Sequence, residues 1–366
     1  MAAIDTSTKT DRGTRSVADR SFQLIDCDVH AKANTIDDLV PYLPNLWQRY
    51  VRETGFKGPP GPEYPKVKPN ATRDDAHPPN NRLPGSDREM LVRQHMDHYQ
   101  IDRAILTPLY GAELEPNVDL ASALCSAYND FMIEHWLDTD ERFYGSMFVP
   151  FDDPAASVRE IERIGDHPKI LQLLFLVGSG VLFGKRRFHP IWKAAEKKNL
   201  ALAIHWGSRL PAYAAHERPS FYLEYHTNLA QTAMAHLVSL VCEGVFEACP
   251  NFRVAVLECG VAWLPALMWR LDKNWRSCRI EVPWLKRRPS DTLREHVRFT
   301  SQPIEEPDDP IHLKQIIDMI GHEMIMFASD YPHWDFDAPN KAIPRILGEP
   351  LRQKIFHQNA VDFYGF

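Results

Sequence analysis

Short apolar runs rich in β-branched and aromatic residues alternate along the chain with longer stretches in which apolar positions recur every three or four residues. Eight of the runs have strand length, at 22–27, 104–107, 143–148, 170–175, 201–204, 253–257, 297–300 and 324–328. Between them the helical period is clearest at 118–137, 190–198, 229–249, 263–275 and 311–320. Strands that alternate with helices build βαβ units and a parallel sheet. Eight such pairs in a chain of 366 residues predict one closed (β/α)8 barrel, a TIM barrel of the α/β class.

One segment breaks the alternation. Positions 55–85 carry Pro59, Pro60, Pro62, Pro65, Pro69, Pro78, Pro79 and Pro84, so neither a regular helix nor a central strand can run through them. They predict a Pro-rich insertion after the first strand, either a lid over the barrel mouth or a surface loop against a neighbouring subunit. Residues 1–20 are polar and read as a flexible arm, which leaves 21–366 as a single barrel domain.

Charge and composition then remove several classes of partner. A net charge of -7 without clustered Lys and Arg offers no footprint for nucleic-acid phosphates. No apolar stretch approaches the roughly 20 residues that cross a bilayer, and the arm lacks the apolar core of a secretory leader. Cys27, Cys125, Cys242, Cys249, Cys259 and Cys278 are scattered without a CxxC pair, as suits a reducing compartment. The expectation is a cytoplasmic protein that takes a small-molecule substrate, binds neither nucleic acid nor membrane, and assembles as a homo-oligomer, dimer or higher.

Residues with ligand or acid–base chemistry stand at the carboxyl ends of four of the eight runs. The first delivers Asp26-Cys27-Asp28-Val29-His30, where positions two apart in extended chain share a side, so Asp28 and His30 aim together and Asp26 follows the same parity. A carboxylate converging with an imidazole makes half of a metal site, or else an acidic turn with a hydrogen-bonded histidine. The fifth run ends in His205, ahead of Trp206 and Gly207, as a ligand or a core histidine. The eighth leads into Ser329-Asp330-Tyr331-Pro332-His333-Trp334, where Asp330 can bind a metal, accept a proton from metal-bound water, or cap the next helix. The sixth ends in Glu258-Cys259-Gly260, with Glu258 a general acid or base, a ligand to a second ion, or a buried partner for Arg270. In a barrel these ends meet on one face, which favours the metal-site reading of all four. His226 faces substrate in this reading, His236 is structural, and Trp206 and Trp334 wall the pocket.

These motifs, together with Gly244-Val245-Phe246-Glu247-Ala248-Cys249-Pro250-Asn251-Phe252 and Trp263, resemble the amidohydrolase-related family, amidohydrolase family 2, which includes aminocarboxymuconate-semialdehyde decarboxylase-like enzymes. The resemblance runs from Phe22 to Phe366 and implies a barrel with a divalent ion held by Asp28, His30, His205 and Asp330. Two departures stand out. Asp28 occupies a position where many relatives have His or Glu, and Glu258 stands where better-studied decarboxylases place a catalytic histidine at the end of strand six. The family divides among hydrolases, decarboxylases and hydratases, so fold and metal leave the reaction open. The expected activity is a hydrolase that uses metal-activated water on an amide, ester or thioester. Asp330, Glu258 and His226 serve catalysis, and Asp28, His30, His205, Glu258 and Asp330 hold one ion, or two, of Zn, Mn, Fe or Co. The alternative is a nonoxidative decarboxylase of an aromatic or unsaturated acid, in which Glu258 protonates carbon. A barrel that binds without turnover is disfavoured by the full set of ligands.

Overall fold

The computed structural model describes residues 22–59, 71–208, 219–228 and 230–366. Within these, β1 (Ile25–Val29), β2 (Arg103–Leu106), β3 (Phe143–Met147), β4 (Ile170–Gly178), β5 (Ala201–Ser208), β6 (Val254–Leu257), β7 (Val297–Thr300) and β8 (Ile325–Met326) pair in parallel in sequence order. Backbone bonds close the ring where β8 runs on past its last ladder residue. Cys27 N–H donates to Phe327 O at 2.9 Å, Asp330 N–H to Asp28 O at 3.1 Å and His30 N–H to Tyr331 O at 2.7 Å. Each strand is covered on both faces, which is why the runs are apolar almost without interruption. Ala201, Leu202, Ala203 and Ile204 of β5, for instance, are all wholly buried.

Helices at Val118–His135, His189–Lys197, Leu264–Cys278 and Ile311–Ile320 lie where the periodicity places them. The single helix expected over 229–249 is instead two, Ala230–Cys242 and Val245–Ala248. Gly244 separates them at a φ of 73°, and a β-carbon there would meet the Trp284 ring at 2.6 Å. Leu229 falls outside the described residues, as do the arm and the middle of the Pro-rich insertion. The rest of the insertion lies against the carboxyl-terminal mouth. Arg73 N–H donates to Pro332 O at 3.0 Å, Trp334 N–H to Ala71 O at 3.0 Å and Lys32 N–H to Gly85 O at 2.9 Å. Gly85 sits so close to β1 that any side chain would collide with the His30 carbonyl.

His236 is structural, as its helical setting suggests. Its ring stacks on Phe183 with centroids 4.1 Å apart, and Nε2–H donates to Val177 O at 2.8 Å. Burial lowers its pKa from the ordinary 6.5 to about 4. Between those pH values only the unfolded chain takes up this proton, so stability present above pH 6.5 is lost as pH falls toward 4. The expected acid loss is on the order of 3 kcal/mol. Denaturant midpoints measured across that window will show it, and His236→Gln, which still donates to Val177, will flatten the slope.

Candidate metal centre

Strand ends from β1, β5 and β6 and the turn after β8 bring Asp28, His30, His205, Glu258 and Asp330 into one buried cluster at the barrel mouth. Glu258 and Asp330 reach it from strained backbone, with φ of 58° and 60° in the left-handed region. The Glu258 backbone N–H donates to Thr300 Oγ1 at 3.0 Å, which helps hold the first of these turns.

Hydrogen bonding fixes which nitrogen of each imidazole is free. His30 Nδ1 lies 2.7 Å from the carbonyl of Thr107, which can only accept, so Nδ1 carries the proton and Nε2 keeps a lone pair. His205 Nδ1 donates in the same way to the carbonyl of Trp206. The two free Nε2 atoms flank Asp28, at 3.6 Å from Oδ1 for His30 and 3.1 Å from Oδ2 for His205. The Thr107 hydroxyl donates to Asp28 Oδ1 and orients that carboxylate. Glu258 Oε2 faces His205 Nε2 at 3.5 Å. Among the described residues, Glu258 Oε2 and Asp330 Oδ2 are buried with no hydrogen-bond partner. Lone pairs and carboxylate oxygens that face one another with no proton to share are mutually repulsive, and a divalent cation is what satisfies such a donor set. The residues present therefore fit an ion bound by Asp28, His30 and His205, whose donor atoms lie within 4.8 Å of one another.

Asp330 has a different setting. Its Oδ1 lies 2.7 Å from His30 Nε2 and 2.5 Å from His333 Nδ1. Burial lowers the pKa of His30 to about 4, so the ring is neutral and offers only a lone pair at Nε2. A contact of 2.7 Å to that lone pair needs a proton or a shared cation between the two atoms, and His30, Glu258, Asp330 and His333 form a second donor group able to hold an ion. Burial, then the charges of Glu258, Asp335 and Asp28, push the Asp330 carboxyl well above its usual range. Glu258 is raised by burial and then by Asp335 and Asp28. Asp28 is the exception. Burial raises it, but the hydrogen bond from the Thr107 hydroxyl is among the contacts that hold it below the usual carboxylate value.

Other expected residues resolve differently. His226 joins the cluster through Glu258 Oε1 at 3.9 Å and Asp335 Oδ2 at 3.4 Å. Arg270 is exposed while Glu258 is buried and faces His205 and His226, so the Glu258–Arg270 alternative fails. Asp330 leads into a turn and caps no helix. Cys27 and Cys259 are buried thiols, and burial pushes both well above the usual range. Asp26 does not share the aim of Asp28 and His30. The ladder between β1 and β2 shifts register between Asp26 and Val29. The Asp26 carboxylate then lies beneath the site, accepting from His95 Nε2 at 2.8 Å, Ser329 N at 3.0 Å and Asp28 N at 3.3 Å. Thus Asp26 ties β1 to the turn that carries Asp330. Loss of one member of so buried a pair costs about 3–5 kcal/mol, and His95→Ala is expected to lower unfolding free energy by that amount in denaturant melts.

Thr107, Lys32, His333 and Asp335 also shape the site. Lys32 continues the parity of Asp28 and His30, and its charge bears on His30 and His333. Asp335 follows the Asp330 motif by a single residue. His95 left no signal in spacing or periodicity.

A parallel eight-stranded barrel with a His and carboxylate cluster at its carboxyl-terminal mouth defines the class of amidohydrolase-type metal enzymes. The amidohydrolase family model matches residues 25–366, and the chain belongs to that family. Gamma-resorcylate decarboxylase of Rhodococcus jostii (strain RHA1) is 25% identical over 295 residues, covering 74% of this chain and 85% of the relative. The 2-amino-3-carboxymuconate-6-semialdehyde decarboxylase of Dictyostelium discoideum is 23% identical over 294 residues, covering 74% and 75%. The fold matches dihydroxybenzoic acid decarboxylase from Polaromonas sp. JS666, solved with bound manganese and the inhibitor 2-nitroresorcinol. The TM-score is 0.66, with 20% identity over 94% of this chain and 97% of that one.

These similarities overturn the expectation of a hydrolase, because the relatives are decarboxylases. The Asp330 carboxyl, buried beside Glu258, Asp335 and Asp28, is pushed well above its usual range, a setting that suits a proton donor. Among the described residues no helix is long and apolar enough to cross a membrane.

Proposed function

We propose that the protein is a metal-dependent nonoxidative decarboxylase of a small aromatic or unsaturated carboxylic acid. The observation that carries the reading is the buried Asp330 carboxyl, pushed well above its usual range and 2.7 Å from Nε2 of His30. Asp28, His30 and His205 would hold the ion, and their oxygen and nitrogen donors suit manganese, the metal of the Polaromonas neighbour. When bound, that ion supplies positive charge to the substrate carboxylate and an adjacent oxygen, which fixes the acid for bond cleavage.

The chain's own groups do the rest. With the His30 lone pair engaged, the Asp330 proton loses its acceptor and is available to substrate carbon. As the bond to the carboxylate breaks, its electron pair stays on carbon and takes that proton, and carbon dioxide leaves. His333 Nδ1–H, donating to Asp330 Oδ1, stabilises the carboxylate that remains. A flat substrate fits between aromatic walls. Trp206 and Trp334 lie 5.1 and 5.9 Å from the His226 ring, and Trp334 Nε1–H donates to Tyr222 at 3.0 Å. All six cysteines are unpaired, and we assign the enzyme to a reducing, cytoplasmic setting.

The test is to load the protein with manganese and follow carbon dioxide release from a panel of hydroxybenzoic acids in deuterated water. The expected product carries one deuterium at the carbon that lost the carboxylate. Incorporation of solvent oxygen without carbon dioxide release would defeat the proposal.

A further inference from the structure

We propose that His226, Glu258 and Asp335 bind a second divalent cation beside the first. His226 Nε2 lies 3.4 Å from Asp335 Oδ2 and 3.9 Å from Glu258 Oε1. Both gaps exceed the roughly 2.7–3.2 Å of a hydrogen bond. They match the spacing of donors around an ion that each approaches to about 2.0–2.2 Å. One donor atom from each residue falls within 4.8 Å of the other two.

A buried, unpartnered atom points to the same place. Glu258 is 3% exposed, and His226 Nε2, which faces it and Asp335, has no hydrogen-bond partner among the described residues. Leaving such groups without a partner costs free energy that a cation returns. The Glu258 carboxylate also spans the two sites, with Oε2 toward His205 of the first and Oε1 toward His226 of the second. A carboxylate with one oxygen directed to each ion is the bridge expected where two metals sit about 3.5–4 Å apart. The supports around the second site are in place. Gln302 Nε2 donates to Asp335 Oδ2 at 3.0 Å and to its carbonyl at 3.2 Å, while Trp206 and Tyr222 pack on the His226 ring.

A second ion there would give a second oxygen of the substrate, a phenolate or another carboxylate, a cation to bind, and would engage Glu258 as a ligand.

Metal-stripped protein titrated with manganese chloride will bind two equivalents per chain in calorimetry, and its paramagnetic resonance spectrum will show spin coupling between the ions. Asp335→Asn and His226→Gln will each reduce uptake to one equivalent and abolish the coupling. Anomalous diffraction at the manganese edge will give two peaks about 3.5–4 Å apart. A single equivalent in the unaltered protein at saturation, with a protonated His226 between the two carboxylates, overturns the proposal. So does a second equivalent that both variants retain. The outcome is separate from the reaction. Two ions without decarboxylation defeat the functional reading alone, and decarboxylation with one ion defeats the second site alone.

Discussion

Asp330→Asn is expected to abolish decarboxylation while the protein stays folded and loaded with metal. General acid catalysis by one positioned group contributes about 10²–10⁴-fold, and loss of the proton source should lower kcat by at least that factor. The amide keeps the volume of the carboxyl, and asparagine is among the residues that best tolerate the φ of 60° at this position. Its oxygen can still accept from His333 Nδ1–H. What disappears is the ionisable group 2.7 Å from His30. Carbon dioxide release, circular dichroism and manganese uptake measured side by side will separate chemistry from folding. A variant that keeps more than about a tenth of wild-type kcat would remove Asp330 as the proton source.

His205→Ala carries the other large effect. Its Nε2 is a lone pair directed at Asp28 from 3.1 Å, and no other described residue can take its place at the end of β5. Losing a direct ligand should cost more than the 10–100-fold typical of groups that only orient ligands. Manganese affinity of the first site should therefore fall by more than about 100-fold, and turnover at micromolar metal should vanish. Titration calorimetry and activity against manganese concentration will read both. If the variant bound manganese as tightly as the parent, His205 would be a core histidine and the ion would lie elsewhere.

The fold was legible because a parallel strand covered on both faces leaves an unbroken apolar run, as 201–204 and 254–257 do. The convergence of Asp28, His30, His205, Glu258 and Asp330 followed from topology, since carboxyl ends of barrel strands share a face. Where the reading failed, it treated local chain as ideal. Alternation places Asp26 with Asp28, but the shifted ladder sends its carboxylate to His95. A helical period runs through 229–249, but Gly244 leaves the helix for the left-handed region. The contribution of Asp335 depends on how the loop after β8 folds over the mouth, which spacing does not encode. Reaction type was hidden for another reason. Whether Asp330 acts as acid or base depends on burial and on Glu258, Asp335 and Asp28 around it, and charge state is a property of the assembled site.

The left-handed backbone at Glu258 and Asp330 sets catalysis against thermal robustness. Glycine relaxes such positions, so a screen that rewards heat resistance alone will enrich Glu258→Gly and Asp330→Gly among its survivors. Those survivors will be tougher barrels that turn nothing over. Any effort to harden this enzyme has to hold both codons fixed and seek its gains away from the strand tips.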